Sequence, residues 1–132
     1  MPIKSNPDTW TDPRQKCGLE GEYLAIRYLQ RHRWRVLAHR FRMGRLEVDL
    51  IARRRNVVAF IEVKTRRSLK FGDPIQAVSA HKQREIARVA SAWVDRHQDV
   101  DVTYRFDVIG VTLGMGEPDI RHVENAFWPG WR

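Results

Sequence analysis

The sequence predicts a mixed α/β domain in the order α-β-β-β-α-β, with a short closing strand. Three observations predict it. A helical apolar stripe comes first, a block of extended apolar segments follows, and a second helical stripe separates that block from a later strand. Helices that precede and interrupt a run of strands must pack on its faces, which gives a mixed central sheet flanked by helices.

Residues 1–14 are polar, carry Pro2, Pro7 and Pro13, and lack the apolar core of a signal segment, so they read as a flexible leader. Residues 15–127 form the single domain, and 128–132 are a tail. Within the domain, Leu19, Tyr23, Ile26 and Leu29/Gln30 recur at helical spacing, predicting a helix over 15–33. Trp34, Val36 and Ala38 alternate with Arg35, Leu37 and His39, predicting a strand over 34–41. Gly44 marks a turn, residues 46–53 a second strand, and Arg53-Arg54-Arg55-Asn56 the turn into a third, Val57 to Thr65. That third strand is rich in β-branched and apolar residues and reads as central. Asp73 suits a helix N-cap and Pro74 the first helical position, so a second helix is expected from there to about His97. Residues 103–113 alternate as a strand, with Phe106 and Val108 on one face and Asp107 and Ile109 on the other. Residues 120–124 read as a short last strand, and the tail from Phe127 as irregular.

Net charge is +8, and its placement is uneven. Residues 31–70 hold 13 Lys/Arg against three Asp/Glu, a local +10, while the rest of the chain sums to −2. Such a window attracts polyanions, nucleic acid first among them, although a basic run is also a common solvated face. No apolar run approaches the roughly 20 residues that span a bilayer. The single cysteine, Cys17, has no internal partner, which suits a reducing cytoplasm.

Inside that window stand Asp49 and Glu62-Val63-Lys64, with Glu22 upstream. Alternation places Glu62 and Lys64 on one face of the third strand, about 7 Å apart at roughly 3.3 Å per residue. An antiparallel turn at 53–56 would bring Asp49 beside Glu62, with Glu47, Asp49 and Ile51 sharing one face of the second strand. Glu22 falls on the apolar stripe of the first helix, where Gly18 and Gly21 permit close approach to a neighbour. A carboxylate on a core face needs a partner or a cation. Each residue also has a plain reading: an ion pair for Glu62 and Lys64, a helix-end carboxylate for Glu22. Hard oxygen ligands hold Mg²⁺ or Mn²⁺. Asp49, Glu62 and the Val63 carbonyl would be the ligands, Glu22 an outer or second-metal one, and Lys64 would face an attacking water.

Asp, then about a dozen residues, then Glu-x-Lys resembles the PD-(D/E)XK nuclease superfamily. Gly18-Leu-Glu-Gly21-Glu22, Glu47-Val-Asp49-Leu-Ile-Ala, Phe60-Ile-Glu62-Val-Lys64-Thr-Arg66, Phe71-Gly72, Lys82, Arg105-Phe106-Asp107-Val108 and His122-Val-Glu-Asn-Ala-Phe127 resemble the YraN-like family of small bacterial proteins, over about residues 17–127. Leu46 stands where that family usually has glycine, and Val48 where the superfamily often has proline. The resemblance implies a restriction-endonuclease-like core similar to archaeal Holliday-junction resolvases. It assigns Glu22, Asp49, Glu62 and Lys64 as catalytic residues and Mg²⁺ or Mn²⁺ as cofactor. The expected function is endonucleolytic cleavage of branched or distorted DNA, for which a symmetric homodimer is suited. The alternative is a nucleic-acid-binding protein that keeps the fold without turnover.

Arg66, Arg67, Lys70 and Lys82 are expected at backbone phosphates. His32, His39, His81, His97 and His122 lack cysteine partners at zinc spacing and read as solvated or hydrogen-bonded. Asp107 reads as a structural anchor. Trp128 and Trp131 either stack on bases or pack, and packing is favoured.

Overall fold

The computed structural model describes residues 13–67, 78–114 and 116–131, with side chains from residue 17 onward. The elements run α1 (Pro13–Arg31), β1 (Arg35–Met43), β2 (Leu46–Arg54), β3 (Val57–Arg66), α2 (Ala80–His97), β4 (Thr103–Thr112) and β5 (Asp119–Val123). The expected order is therefore present.

Residues buried on α1 are Leu19, Gly21, Glu22, Ala25, Ile26 and Leu29, a stripe of helical period that includes the carboxylate. Tyr23 and Gln30, expected on that stripe, fall beside it and are exposed. The helix ends in a left-handed Arg33 (φ 67°), and Trp34 N–H donates back to the Leu29 carbonyl at 2.9 Å, a Schellman closure. The second helix begins later than its sequence suggested. Ser79 caps it, its Oγ accepting from Lys82 N–H at 3.1 Å. Val78 precedes the helix, and the expected cap at Asp73 and Pro74 lies outside the described residues.

One five-stranded sheet is formed in the order β1-β2-β3-β4-β5. The β3–β4 seam is parallel and the others antiparallel. The helices cover opposite faces. Ala25, Ile26 and Leu29 of α1 join Leu50, Ala59, Ile61, Val63, Ile109 and Val111. Ile86, Val89 and Trp93 of α2 join Val48, Ile51, Val58, Phe60, Phe106 and Val108. The α2 face is completed by the tail: Trp131 is buried, donates to Ser91 Oγ at 2.6 Å, and meets Phe60, Tyr104 and Phe106 edge-on. Trp131 thus packs, while Trp128 stays exposed beside it.

Candidate functional site

The site is built on a break in the sheet. The β2–β3 ladder runs from Arg54↔Val57 to Leu50↔Ile61, one pair short of Asp49 and Glu62. There the strands part, and Asp49 Oδ2 accepts the Val63 N–H at 2.8 Å in place of a main-chain acceptor. A strand residue directs its N–H and C=O to the same neighbour, so the Val63 carbonyl belongs to the same gap.

Alternation also shifts at this point. Val48 and Ile51 face α2, whereas Leu50 and Ala52 face α1. Opposite them in β1, Arg40 has left-handed backbone (φ 57°). The expected common face of Glu47, Asp49 and Ile51 is therefore broken, because a two-residue period cannot survive one residue of left-handed geometry in the facing strand. The shift has a use: consecutive residues His39 and Arg40 both reach Glu22. His39 Nε2 lies 2.5 Å from Glu22 Oε1, Arg40 Nε donates to Oε1 at 2.9 Å, and an Arg40 terminal nitrogen donates to Oε2 at 3.1 Å. Burial alone would raise the Glu22 pKa, but the His39 and Arg40 hydrogen bonds outweigh it and hold the carboxyl below its ordinary value. Gly21 makes this closeness possible, since a Cβ there would lie 1.8 Å from Thr65 Oγ1. Gly18 meets nothing within 4 Å and has no such role.

Glu62 is 2% exposed, on the α2 side with Val58 and Phe60. Among the described residues no backbone, amide, alcohol or basic side-chain donor hydrogen-bonds either of its oxygens, which leaves the Asp49 carboxyl as the group that approaches them. What faces them is the Asp49 carboxyl and Lys82 Nζ, 3.6 Å from Oε2. Asp49 is pushed well above the ordinary carboxyl range. Burial is the main cause, followed by its hydrogen-bonded approach to Glu62 and the charges of Glu62 and Glu22, with the Val63 N–H opposing. Two acids this close can share a proton or a cation.

The structure thus brings Asp49, Glu62 and the Val63 backbone together, and engages Glu22 with His39 and Arg40. Among the described residues no three His, Cys, Asp or Glu side chains form a group able to hold a metal ion. The donor set still suits a hard divalent ion in one respect: two buried carboxylate oxygens without donors are what such an ion needs. Lys64 is half-buried two residues along β3 from Glu62. Lys82, expected at phosphates, reaches into the site, its Nζ also 3.5 Å from the Glu47 carbonyl. Arg66 is half-buried and Arg67 exposed at the end of β3, and Lys70 lies outside the described residues. Sequence reasoning missed His39 and Arg40 as partners of Glu22. No spacing rule pairs a helix residue with two consecutive strand residues.

Asp107 is the anchor it was expected to be. It is fully buried, accepts from Arg105 Nε at 3.0 Å and Asn125 N–H at 2.9 Å, and lies 2.8 Å from His122 Nε2. These partners overcome burial and lower its pKa. His39 is buried and His122 half-buried, and both are hydrogen-bonded.

The profile of the uncharacterised protein family UPF0102 matches residues 21–111, a span containing Glu22, Asp49, Glu62 and Asp107. The chain belongs to the UPF0102 family. A UPF0102 protein of Geobacter metallireducens is 43% identical over 113 residues, covering 86% of this chain and 93% of its own. One from Geobacter sulfurreducens is 46% identical over 111 residues, covering 83% and 87%. A third, from Caldicellulosiruptor saccharolyticus, is 40% identical over 116 residues, covering 86% and 98%. Among the described residues no helix is long and apolar enough to cross a membrane.

Proposed function

We propose that this protein is a divalent-metal-dependent endonuclease with a restriction-endonuclease-like core of the PD-(D/E)XK type, acting in the cytoplasm on branched or distorted DNA. The observation that carries the reading is the Asp49–Glu62 pair at the β2–β3 break, with Glu62 buried and lacking donors. Asp49, Glu62 and the Val63 carbonyl are the residues that would hold Mg²⁺ or Mn²⁺. When bound, such an ion supplies charge neutralisation at the phosphate and acidifies a water. Lys64, next on the Glu62 face, orients the attacking water. Lys82 offsets negative charge beside Glu62. Arg66, Arg67 and Lys70, following Lys64 in sequence, position the backbone without reading bases. A homodimer would present two such centres to a symmetric junction.

A second reading has its own observation. Glu22 is spent on His39 and Arg40, which fits a nucleic-acid-binding protein that keeps this core without turnover. Junction, flap and linear DNA incubated with purified protein and Mn²⁺ separate the two. The nuclease reading expects cleavage that falls on the order of a hundredfold or more in Asp49→Ala and Glu62→Ala, several kcal/mol of transition-state stabilisation. Equal products from wild type and both variants would sink it. Calorimetric binding of Mn²⁺ that Asp49→Ala abolishes would count against the non-catalytic reading.

A further inference from the structure

Part of the basic window lies at the other end of β2 from Asp49. At the opposite end of β2, the close of α1 and the β2–β3 turn meet around a cavity of about 560 Å³ lined by His32, Arg33, Arg54, Arg55, Asn56 and Val57. Its lining holds three arginines and no acid. The three are not equivalent.

Arg54 is the fixed wall. Its guanidinium lies 4.6 Å from the centre of the Trp34 ring, donates to the His32 carbonyl at 3.4 Å, and stands 3.7 Å from Glu124. Arg33 and Arg55 are exposed, and among the described residues no acidic side chain or acceptor engages either guanidinium. Both have left-handed backbone, φ 67° and 55°. Glycine fits such positions without strain, and arginine does not. Strained backbone therefore presents two uncompensated guanidiniums at one cavity. The planar guanidinium fork matches the paired oxygens of a phosphate.

We propose that Arg33 and Arg55, braced by Arg54, form a second phosphate-binding site that grips the nucleic-acid backbone away from the point of cleavage. Arg54 stands five steps along β2 from Asp49, roughly 16 Å at about 3.3 Å each. The site is a second backbone contact at the turn end of the sheet, apart from the one at the carboxylates. The inference rests on the reading of the chain as a nucleic-acid-handling protein, catalytic or not.

The test is metal-free binding in EDTA, so cleavage plays no part. A fluorescein-labelled 30-base-pair duplex is titrated by anisotropy across a series of KCl concentrations. The variant Arg33→Gly/Arg55→Gly removes both guanidiniums and suits the left-handed backbone, so misfolding does not account for lost binding. Its plot of log affinity against log salt flattens by about 1.8, two phosphate contacts at about 0.9 each. The exposed pair Arg84→Gln/Arg88→Gln on α2 removes the same charge and leaves the slope near that of wild type. An unchanged slope in the glycine variant, or equal flattening in both variants, overturns the second site while leaving nucleic-acid binding intact. A wild-type protein with no salt-dependent affinity overturns the nucleic-acid reading itself.

Discussion

Asp49 sits where its charge is disfavoured, and this has a measurable consequence. Its folded-state pKa is raised, so as pH climbs past the ordinary carboxyl range the unfolded chain releases its proton first. Between that range and the raised value, each upward step in pH weakens the metal-free fold. Asparagine keeps an acceptor for Val63 N–H and has no charge to bury. Asp49→Asn in EDTA is therefore expected to melt above wild type at neutral pH, by a margin larger at pH 8 than at pH 4. A lower melting temperature at pH 8 would refute this. Glu22 and Asp107 have lowered values and act with the opposite sign: their stabilisation is complete above the ordinary range and is lost as pH falls from it through their lowered values. Sequence reading found Asp49, Glu62 and Glu22 because a charged residue on an apolar period is conspicuous. It could not find what holds Glu22, because the left-handed Arg40 that aims two neighbours at it leaves no mark in composition or spacing.

Among the elements, α1 approaches β3 closely at Gly21. A methyl on Gly21 would meet the Oγ1, Cγ2 and Cβ atoms of Thr65 at 1.8, 2.7 and 2.8 Å, so rotating the threonine cannot relieve it. Gly21→Ala is expected to cost about 1–3 kcal/mol as overpacking lifts the helix from the sheet, read as a lower denaturant midpoint. An unchanged midpoint would show that α1 tolerates displacement. Strand positions were legible because β3 and β4 keep strict alternation between two covered faces. The start of α2 was not. Asp73-Pro74 and Ser79 both offer capping chemistry, and helical spacing runs through Val78 into the true helix without distinguishing them.

At the scale of the molecule, the last residues complete the core. Trp131 joins Phe60, Tyr104 and Phe106, closing part of the sheet against which α2 does not pack alone. Trp131→Ala is expected to destabilise the domain by about 3–5 kcal/mol, measured by denaturant unfolding; a loss below 1 kcal/mol would place the ring outside the core. Sequence marked the aromatic tail as a packing element but could not name its partners, which lie in β3, β4 and α2. The parallel seam between those strands joins Val57 to Thr103, whereas β1, β2 and β3 pair through short local turns. A growing chain can zip the three-stranded meander from local contacts, setting Asp49 opposite Glu62 early. The seam must await some forty further residues, so the slow event in acquiring the native state is expected to be β4 docking, after the acidic pair is already in place.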